Sequence, residues 1–346
     1  MTDQPTPLHA TSRPFGLGVN LTSRSGEGVR KQAQLAEQLG FESVWAGEAY
    51  GSDAVTPLTW AAASTERLRI GSAIMQIPAR TPASTAMTAL TLDRLSGGRF
   101  RLGLGTSGPQ VVEGWHGIPF RKPLATTEEY VDIVRQIFAA DGKIELDGAI
   151  YTLPYRGAGA TGDGKALRSA FKPTRIPILL AAIGPKNVQL ALRIGDGLLP
   201  MLWNPHRAGA IYGELIERAA GGDFEIAPTA PIAIGDEIDA CRDKVRPLIA
   251  TYIGGMGSRT TNFYNQLIRR YGYEETAVQV QDLYLDGRHE EAAAAVPNAL
   301  IDELALVGPA GHVAEQLTVW RSSGITTLIL AGADSNAMRT VAELVL

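Results

Sequence analysis

The chain has 346 residues, of which 45% are hydrophobic and 20% are charged, a composition typical of a globular protein with a sizeable core. Its formal net charge of −4 argues against nucleic-acid binding, although a local basic pocket for an anionic ligand is compatible with it. Cys241 is the only cysteine, and the five histidines lack ligand-like spacing, so we expect neither a disulfide nor a metal site.

The sequence also lacks the features of a membrane or exported protein. No apolar run approaches the ~20 residues needed to span a bilayer, so we expect no membrane association. The N-terminus has neither a basic start nor an apolar stretch, which argues against a signal peptide. We therefore expect a cytoplasmic protein with a flexible tail over residues 1–12.

Strand-like and helix-like patterns alternate through the first third of the chain. The helix-like segments show apolar residues at helical spacing, and the strand-like segments are short, apolar and rich in glycine. Strands are predicted at 15–21, 43–47, 68–74 and 99–104, and helices at 27–39, 57–63 and 83–95.

The alternation loosens after the fourth strand and then returns. A helix is predicted over 126–140, with Thr126 and Thr127 as possible caps, and residues 141–174 are rich in glycine, alanine and polar residues. Further strands are predicted at 176–182, 196–201, 229–235 and 326–331. Further helices are predicted at 184–194, 206–219, 240–253, 311–322 and 337–346, and residues 254–310 resemble a helical insertion.

Eight strand-then-helix units predict an α/β protein with a closed (β/α)8 TIM barrel. The insertions are expected after strand 4 and after helix 7, within a single domain over residues 1–346. A doubly wound sheet is the alternative, and it would need a reversal of strand order that a sequence alone does not reveal.

Small and hydroxyl residues follow several of the expected strands, at the end of an α/β barrel where ligands bind. These segments are Gly47–Glu48, Gly71–Ser72–Ala73–Ile74, 93–105, Gly184–Pro185–Lys186–Asn187 and Gly195–Asp196–Gly197. Together they resemble the bacterial-luciferase-like superfamily over nearly the whole chain, and its F420-dependent oxidoreductase branch in particular.

The resemblance implies that the deazaflavin coenzyme F420 binds at the C-terminal mouth of the barrel, with FMN as the alternative. Members carry a non-proline cis peptide on the third strand, here Ala73–Ile74, which backs the middle ring of the cofactor. The expected cofactor contacts are Glu48, Ser72, Ala73, Ile74, Thr106, Ser107, Gly108, Ala182, Ile183, Gly184, Pro185 and Lys186. Residues 182–187 are the expected phosphate site, because the start of a helix and a lysine suit an anion.

The expected catalytic residues are Glu48, at the end of the second strand, and His116. The chain departs from its relatives after Glu48, where Ala49 replaces a histidine that often takes part in catalysis. It also carries Ser107–Gly108–Pro109 where sugar-phosphate dehydrogenases of the superfamily place an acidic residue, which argues against that activity. Further candidates at the site are the proton carriers Tyr50 and Glu113 and the possible substrate walls Tyr50, Trp115 and Trp203.

The expected function is transfer of a hydride between F420 and a small organic substrate. Two alternatives stay open: an FMN-dependent monooxygenase of the same superfamily, and a flavin- or deazaflavin-binding protein without catalysis, which the missing histidine favours. The resemblance also implies a homodimer.

Overall fold

A computed structural model describes residues 15–23 and 25–346. The flexible tail expected over residues 1–12 lies outside the described residues. Within the described ranges, no helix combines the length and the apolar character required to cross a membrane.

The strands of the described residues form one large, mostly parallel sheet and one small hairpin. They are β1 (Gly16–Asn20), β2 (Ser43–Ala46), β3 (Arg69–Ser72), β4 (Met75–Gln76), β5 (Phe100–Gly105), β6 (Leu146–Asp147), β7 (Thr152–Leu153), β8 (Ile178–Leu180), β9 (Gly197–Leu198), β10 (Glu225–Ile226), β11 (Thr229–Ile234), β12 (Leu306–Gly308) and β13 (Thr327–Ala331).

Helices cover the outside of the sheet and form the insertion. They are α1 (Gly26–Gln38), α2 (Val55–Ala63), α3 (Pro82–Leu95), α4 (Pro109–Gly114), α5 (Pro123–Ala139), α6 (Pro185–Ile194), α7 (Ala208–Ala220), α8 (Ile238–Ala250), α9 (Phe263–Arg270), α10 (Glu274–Leu285), α11 (His289–Ala294), α12 (Asn298–Leu304), α13 (Ala310–Ser322) and α14 (Ser335–Val345). A π-helical segment, Thr251–Gly255, follows α8.

The large sheet closes into the predicted barrel. Its parallel order runs β9, β8, β5, β3, β2, β1, β13, and β10 and β11 are two halves of the strand that joins the two ends. The N–H of Ala227 donates to Leu198 on one side (2.9 Å), and the N–H of Ile329 donates to Pro228 on the other (2.9 Å). The barrel therefore has eight strand positions, with β4 extending the third strand and β12 added beside the end of β11.

Alternating side chains divide the apolar residues between the inside and the outside of the barrel. The inside holds a small cluster of Trp45, Leu179, Leu199, Ala227 and Ile329. The space is so tight that a Cβ at Gly71 would come within 2.3 Å of the Trp45 ring. The larger cluster lies between the strands and the surrounding helices.

The insertion begins one helix earlier than expected. The segment 240–253, predicted as the seventh barrel helix, corresponds to α8, whose buried residues Cys241, Val245 and Ile249 pack with the helices that follow it. The helix that packs on the main core before β13 is α13, through residues such as Leu317. Helical periodicity identifies a buried face but not its partner, so sequence could not separate these two helices.

Two local expectations also differ from the structure. Residues 306–308, assigned to the helical insertion, form β12. The segment 141–174, for which no element is predicted, contains the β6–β7 hairpin. Thr126 and Thr127 do not cap α5, because the helix already begins at Pro123 and the Thr127 hydroxyl donates to the Pro123 carbonyl (2.8 Å). Proline suits the first position of a helix, where its missing N–H costs nothing.

The contact between Gly71 and Trp45 yields a stability prediction. We expect Gly71→Ala to lower the free energy of unfolding by about 1–3 kcal/mol, because the added methyl group overpacks the barrel interior. A matched control is Gly213→Ala in α7, where a Cβ would meet nothing within 4 Å and alanine is the better helix former. Urea unfolding measures both, and equal stabilities of the two variants would contradict the packing argument.

Candidate functional site

The carboxyl ends of the barrel strands form a recess whose floor consists mostly of small side chains. Each floor position lies two residues beyond the residue of the same strand that faces the barrel interior, such as Trp45 or Leu179. Because side chains alternate along a strand, the floor position also points into the barrel. These floor positions are Asn20, Gly47, Ala73, Gly105, Ala181, Met201, Thr229 and Ala331. All except Gly105 are at least partly exposed, so the recess is open at the mouth.

The backbone of the third strand projects into this recess. The Ala73–Ile74 peptide bond is cis, as the resemblance implies. Glycines on both neighbouring strands make room for this segment: a Cβ at Gly47 would lie 2.3 Å from the Ala73 carbonyl oxygen, and one at Gly103 would lie 1.8 Å from that of Ser72. Because any larger residue would collide with main-chain atoms, glycine is required at both positions.

Ser72 has a structural role in place of the expected ligand contact. Its side chain is fully buried, and its Oγ both donates to the Gly103 carbonyl (2.9 Å) and accepts from the Gly103 N–H (2.9 Å). These bonds pin β3 against β5 directly below Ala73 and Ile74, which themselves remain partly exposed.

Glu48 lies at the end of β2, and both of its carboxylate oxygens are engaged within the protein. Oε1 accepts from the Gln76 N–H (2.9 Å) and forms an ion pair with Arg80, while Oε2 accepts from the Ala54 N–H (3.1 Å). The side chain is only 7% exposed. Glu48 therefore ties the loop after β2 to the segment after the cis peptide, which makes it a positioning residue rather than a free acid or base.

Gln76 connects Glu48 to His116. Its Nε2 donates to the carbonyls of Glu48 (2.9 Å) and Ala49 (3.2 Å), and its Oε1 lies 3.0 Å from His116 Nε2. An amide oxygen only accepts, so His116 Nε2 carries the proton of this bond. Among the described residues, His116 Nδ1 has no hydrogen-bond partner, and this half-buried ring is the free imidazole beside the network.

The turn after β5 combines polar groups with an unusual backbone. Thr106, Ser107 and Gly108 are all partly exposed, and Ser107 has a φ of 58°, in the left-handed region that few non-glycine residues adopt. Such conformations cluster at ligand sites, where surrounding contacts hold them in place. The turn leads directly into α4, which carries His116 just beyond its end.

The expected phosphate site lies at the start of α6. Ala182 is buried, Ile183 and Gly184 are partly exposed, and Pro185 and Lys186 are exposed. No side chain of the described residues caps this helix, so the N–H groups of its first turn have no side-chain acceptor among them. A Cβ at Gly184 would meet open space.

Sequence reasoning missed a second cation at this turn. Arg270, at the end of α9, donates from Nη2 to the Ile183 carbonyl (2.7 Å). Neither Arg270 nor Lys186 forms an ion pair with a carboxylate in the described ranges. Arg270 lies 87 residues from Ile183 in the sequence, so no local motif could have revealed the contact.

The insertion also contains a pair of tyrosines in contact with each other. The rings of Tyr252 and Tyr264 meet edge to face, with centroids 4.8 Å apart. Burial raises the pKa of Tyr264, and burial together with the nearby Tyr50 raises the pKa of Tyr252. Both hydroxyls therefore stay protonated at neutral pH and keep a proton that they can donate.

The remaining candidates separate into core and surface residues. Trp203 is fully buried and stacks on Tyr212, with ring centroids 4.7 Å apart, so it belongs to the core and not to a substrate wall. Tyr50 and Trp115 are exposed, and Glu113 accepts from the Phe120 N–H (3.1 Å) at the surface. The part of the chain that the structure describes contains no cluster of metal-ligating side chains.

Comparison with known proteins identifies the family. The sequence profile of the luciferase-like monooxygenases matches residues 9–327. The chain belongs to this family. The resemblance inferred from the strand-end glycines is thereby confirmed over most of the sequence.

Relatives of this luciferase-like protein support its placement in the F420 branch. It is 45% identical over 342 residues to a Mycobacterium tuberculosis protein named for coenzyme F420-dependent oxidoreductases, with 95% of this chain and 98% of the relative covered. It is 29% identical to the 5,10-methylenetetrahydromethanopterin reductase of Archaeoglobus fulgidus, with 86% of each chain covered.

The fold also resembles that of a solved structure. The F420-dependent tetrahydromethanopterin reductase of Methanopyrus kandleri superimposes with a TM-score of 0.76, covering 96% of this chain and 98% of the other, at 22% identity. At that identity the similarity concerns the fold alone, and it confirms the luciferase-like barrel.

The ion pair between Glu48 and Arg80 generates a stability prediction for the luciferase-like site. We expect Glu48→Gln to lower the free energy of unfolding by about 3 kcal/mol, because it leaves the partly buried Arg80 without its counter-ion. Glu42→Gln is the matched control: it breaks the exposed pair with Arg69 and should cost about 1 kcal/mol or less. Thermal or urea unfolding measures both variants. A similar loss of unfolding free energy in the two would contradict the positioning role of Glu48.

Proposed function

We propose that this protein is an F420-dependent oxidoreductase that exchanges a hydride between the deazaflavin and a small organic substrate. The observation that carries the proposal is the main-chain wall at Ala73–Ile74, which stands in a recess floored by small side chains. A planar ring needs such a flat surface, and the glycines at positions 47 and 105 leave no side chain in this part of the floor. The F420-based name of the Mycobacterium tuberculosis relative favours this cofactor over FMN.

The residues of the recess fit the two ends of such a cofactor. The ring end is matched by the wall at Ala73–Ile74 and by the polar turn Thr106–Gly108. The anionic end is matched by the uncapped start of α6, where helix N–H groups and the positive end of the helix dipole favour a phosphate. Lys186 and Arg270 add positive charge from two different elements.

The bound deazaflavin would supply a ring carbon that accepts or donates a hydride, so that a substrate carbon is oxidised or reduced by two electrons. The protein's part is to orient both partners and to exclude water. His116 suits the proton that accompanies the hydride, because Gln76 fixes its Nε2–H and leaves Nδ1 to accept or donate the proton. Glu48 holds Gln76 in place for this task.

Titration with F420 tests the cofactor assignment. We expect the purified protein to quench F420 fluorescence on binding, to bind FMN more weakly, and to turn over at least one member of a panel of alcohols, enones and imines. Gly184→Leu should weaken F420 binding at least tenfold, because the leucine side chain conflicts with the phosphate. It should not unfold the protein, because a Cβ at this position meets open space. Gly311→Leu, at the start of α13 with similarly open surroundings, is the matched control.

A yellow protein that binds FMN more tightly than F420 would contradict the cofactor assignment. Binding of F420 without turnover of any substrate would instead favour the binding-protein alternative.

Phosphate recognition by Arg270 yields a separate prediction. We expect Arg270→Gln to weaken binding of F420 about tenfold and to leave binding of the same deazaflavin without its phosphate unchanged, since a guanidinium–phosphate bond is charge-assisted. Arg339→Gln on α14 removes an exposed cation far from the turn and is the charge-matched control. Calorimetry measures all three proteins, and an equal effect on both ligands would assign Arg270 to support of the turn alone.

A further inference from the structure

The tyrosine pair of the insertion carries hydroxyl groups that the protein itself does not use. The rings of Tyr252 and Tyr264 meet edge to face, and neither hydroxyl forms a hydrogen bond with the described residues. Both hydroxyls are still reached by solvent, because the sealed polar atoms without a partner in the described ranges belong to Asn20, Tyr212 and His312. The pair therefore presents two polar groups to a space that a ligand can enter.

One buried asparagine fixes the main chain of both tyrosines. Asn262 Nδ2 donates to the carbonyls of Ile253 (2.9 Å) and Tyr252 (3.4 Å), and its Oδ1 accepts from the Tyr264 N–H (3.0 Å) at the start of α9. A single side chain that bonds to both backbones holds the pair in one arrangement. The hydroxyls are thus positioned before a ligand arrives, which lowers the entropy cost of binding it.

The π-helical segment Thr251–Gly255, which contains Tyr252, is held by close packing. A Cβ at Gly254 would lie 2.4 Å from Tyr284 Cβ, and one at Gly255 would lie 2.4 Å from Tyr284 Cε1. The Tyr284 side chain therefore rests directly on the main chain of the segment. Because π-helical turns occur frequently at functional sites, this fixed turn is a second reason to assign a ligand contact to Tyr252.

Contacts of α9 attach one side of the pair to the barrel mouth. Arg270 donates to the Ile183 carbonyl beyond β8, and the Tyr271 hydroxyl donates to the Leu202 carbonyl beyond β9 (2.9 Å). Tyr264 precedes Arg270 by six residues on this helix, which is about 9 Å along its axis. The pair is therefore anchored at the fifth and sixth strand positions of the barrel.

The other side of the pair reaches the loop after β2. Tyr50 follows Glu48 and Ala49 in that loop, and it is close enough to add to the effect of burial, the larger cause, in raising the pKa of Tyr252. The second strand position lies across the barrel from the sixth, because β2 and β9 are separated by four positions in the closed order of eight. The pair therefore extends over the floor of the recess.

The protonation of the pair defines what it can bind. Burial and the neighbouring Tyr252 raise the pKa of Tyr264, so both hydroxyls keep their protons at neutral pH. A hydroxyl with its proton pairs with an acceptor, which a carbonyl or alcohol oxygen supplies and a protonated imine nitrogen does not. Such donors also stabilise the negative charge that develops on a carbonyl oxygen as hydride is transferred.

Resting on the proposed function, we propose that Tyr252 and Tyr264 are substrate-binding residues that donate hydrogen bonds to an oxygen of the substrate. The substrate class that follows is a carbonyl compound or the corresponding alcohol, with its oxygen toward the pair and its reacting carbon toward the floor of the recess. Both tyrosines keep their own protons, so the proton that accompanies the hydride remains the task of His116.

The panel of alcohols, enones and imines gives the first test. We expect an alcohol or an enone among the compounds that wild-type protein turns over with F420. Turnover of imines alone would overturn this inference and leave the proposed F420-dependent activity in place. Turnover of no compound would overturn the proposed function itself, and this inference with it.

Tyr252→Phe and Tyr264→Phe remove one hydroxyl each and keep the ring pair. With the best alcohol or enone, we expect kcat/KM to fall about tenfold in each variant, because a donor to the reacting oxygen is lost. The melting temperature and the Kd for F420 should stay as in wild type, since neither hydroxyl bonds to a described residue. Tyr155→Phe, which alters an exposed tyrosine in the segment before β8, is the matched control and should keep the wild-type kcat/KM.

A titration without turnover separates substrate binding from catalysis. Oxidised F420 cannot reduce an enone, so protein loaded with it reports the Kd of the enone alone; protein loaded with reduced F420 does the same for an alcohol. We expect this Kd to rise at least threefold in both phenylalanine variants. A kcat/KM within twofold of wild type in either variant would overturn the inference. A loss of F420 affinity or of melting temperature that matches the loss of activity would also overturn it, because the hydroxyls would then support the cofactor or the fold.

Discussion

The candidate site depends on the close approach of three neighbouring strands around the end of β3. Main-chain atoms of Ser72 and Ala73 occupy the volume that side chains on β2 and β5 would otherwise fill, which is possible only because Gly47 and Gly103 have no Cβ. The same absence of side chains keeps the floor of the recess flat. The lack of side chains at these glycines therefore sets both how closely the strands pack and how much room a ligand has. The hydrogen bond from Ser72 to the Gly103 carbonyl reinforces this packing.

A hydrogen-bonded network holds the segment beyond this wall. Glu48 accepts a hydrogen bond from the Gln76 N–H, and the Gln76 side chain bonds to the Glu48 carbonyl and to His116. Because both carboxylate oxygens accept hydrogen bonds, Glu48 contributes geometry. Within the network formed by the described residues, the His116 imidazole keeps one nitrogen, Nδ1, without a partner. In the proposed function, His116 from the loop after β5 takes the place of the histidine that is missing after Glu48.

The inserted helices complete the mouth from above. They leave the barrel after its seventh strand and return through β12, so α9 reaches the end of the fifth strand, where Arg270 meets Ile183. Tyr252 and Tyr264 come from the same insertion. The barrel thus supplies the flat floor and the helix N-terminus, while the insertion supplies the cation Arg270 beside Ile183.

The alternating order of strands and helices, the start of α6 around Gly184–Pro185 and the small residues at the strand ends could be predicted from the sequence, because all of these follow from local spacing and residue type. Its motifs also located the cis peptide through the resemblance. Three features could be read only from the folded chain: Ser72 bonds to Gly103, Trp203 lies in the core, and α8 belongs to the insertion. Each of these depends on which distant segment a side chain meets, and neither periodicity nor composition encodes that partner.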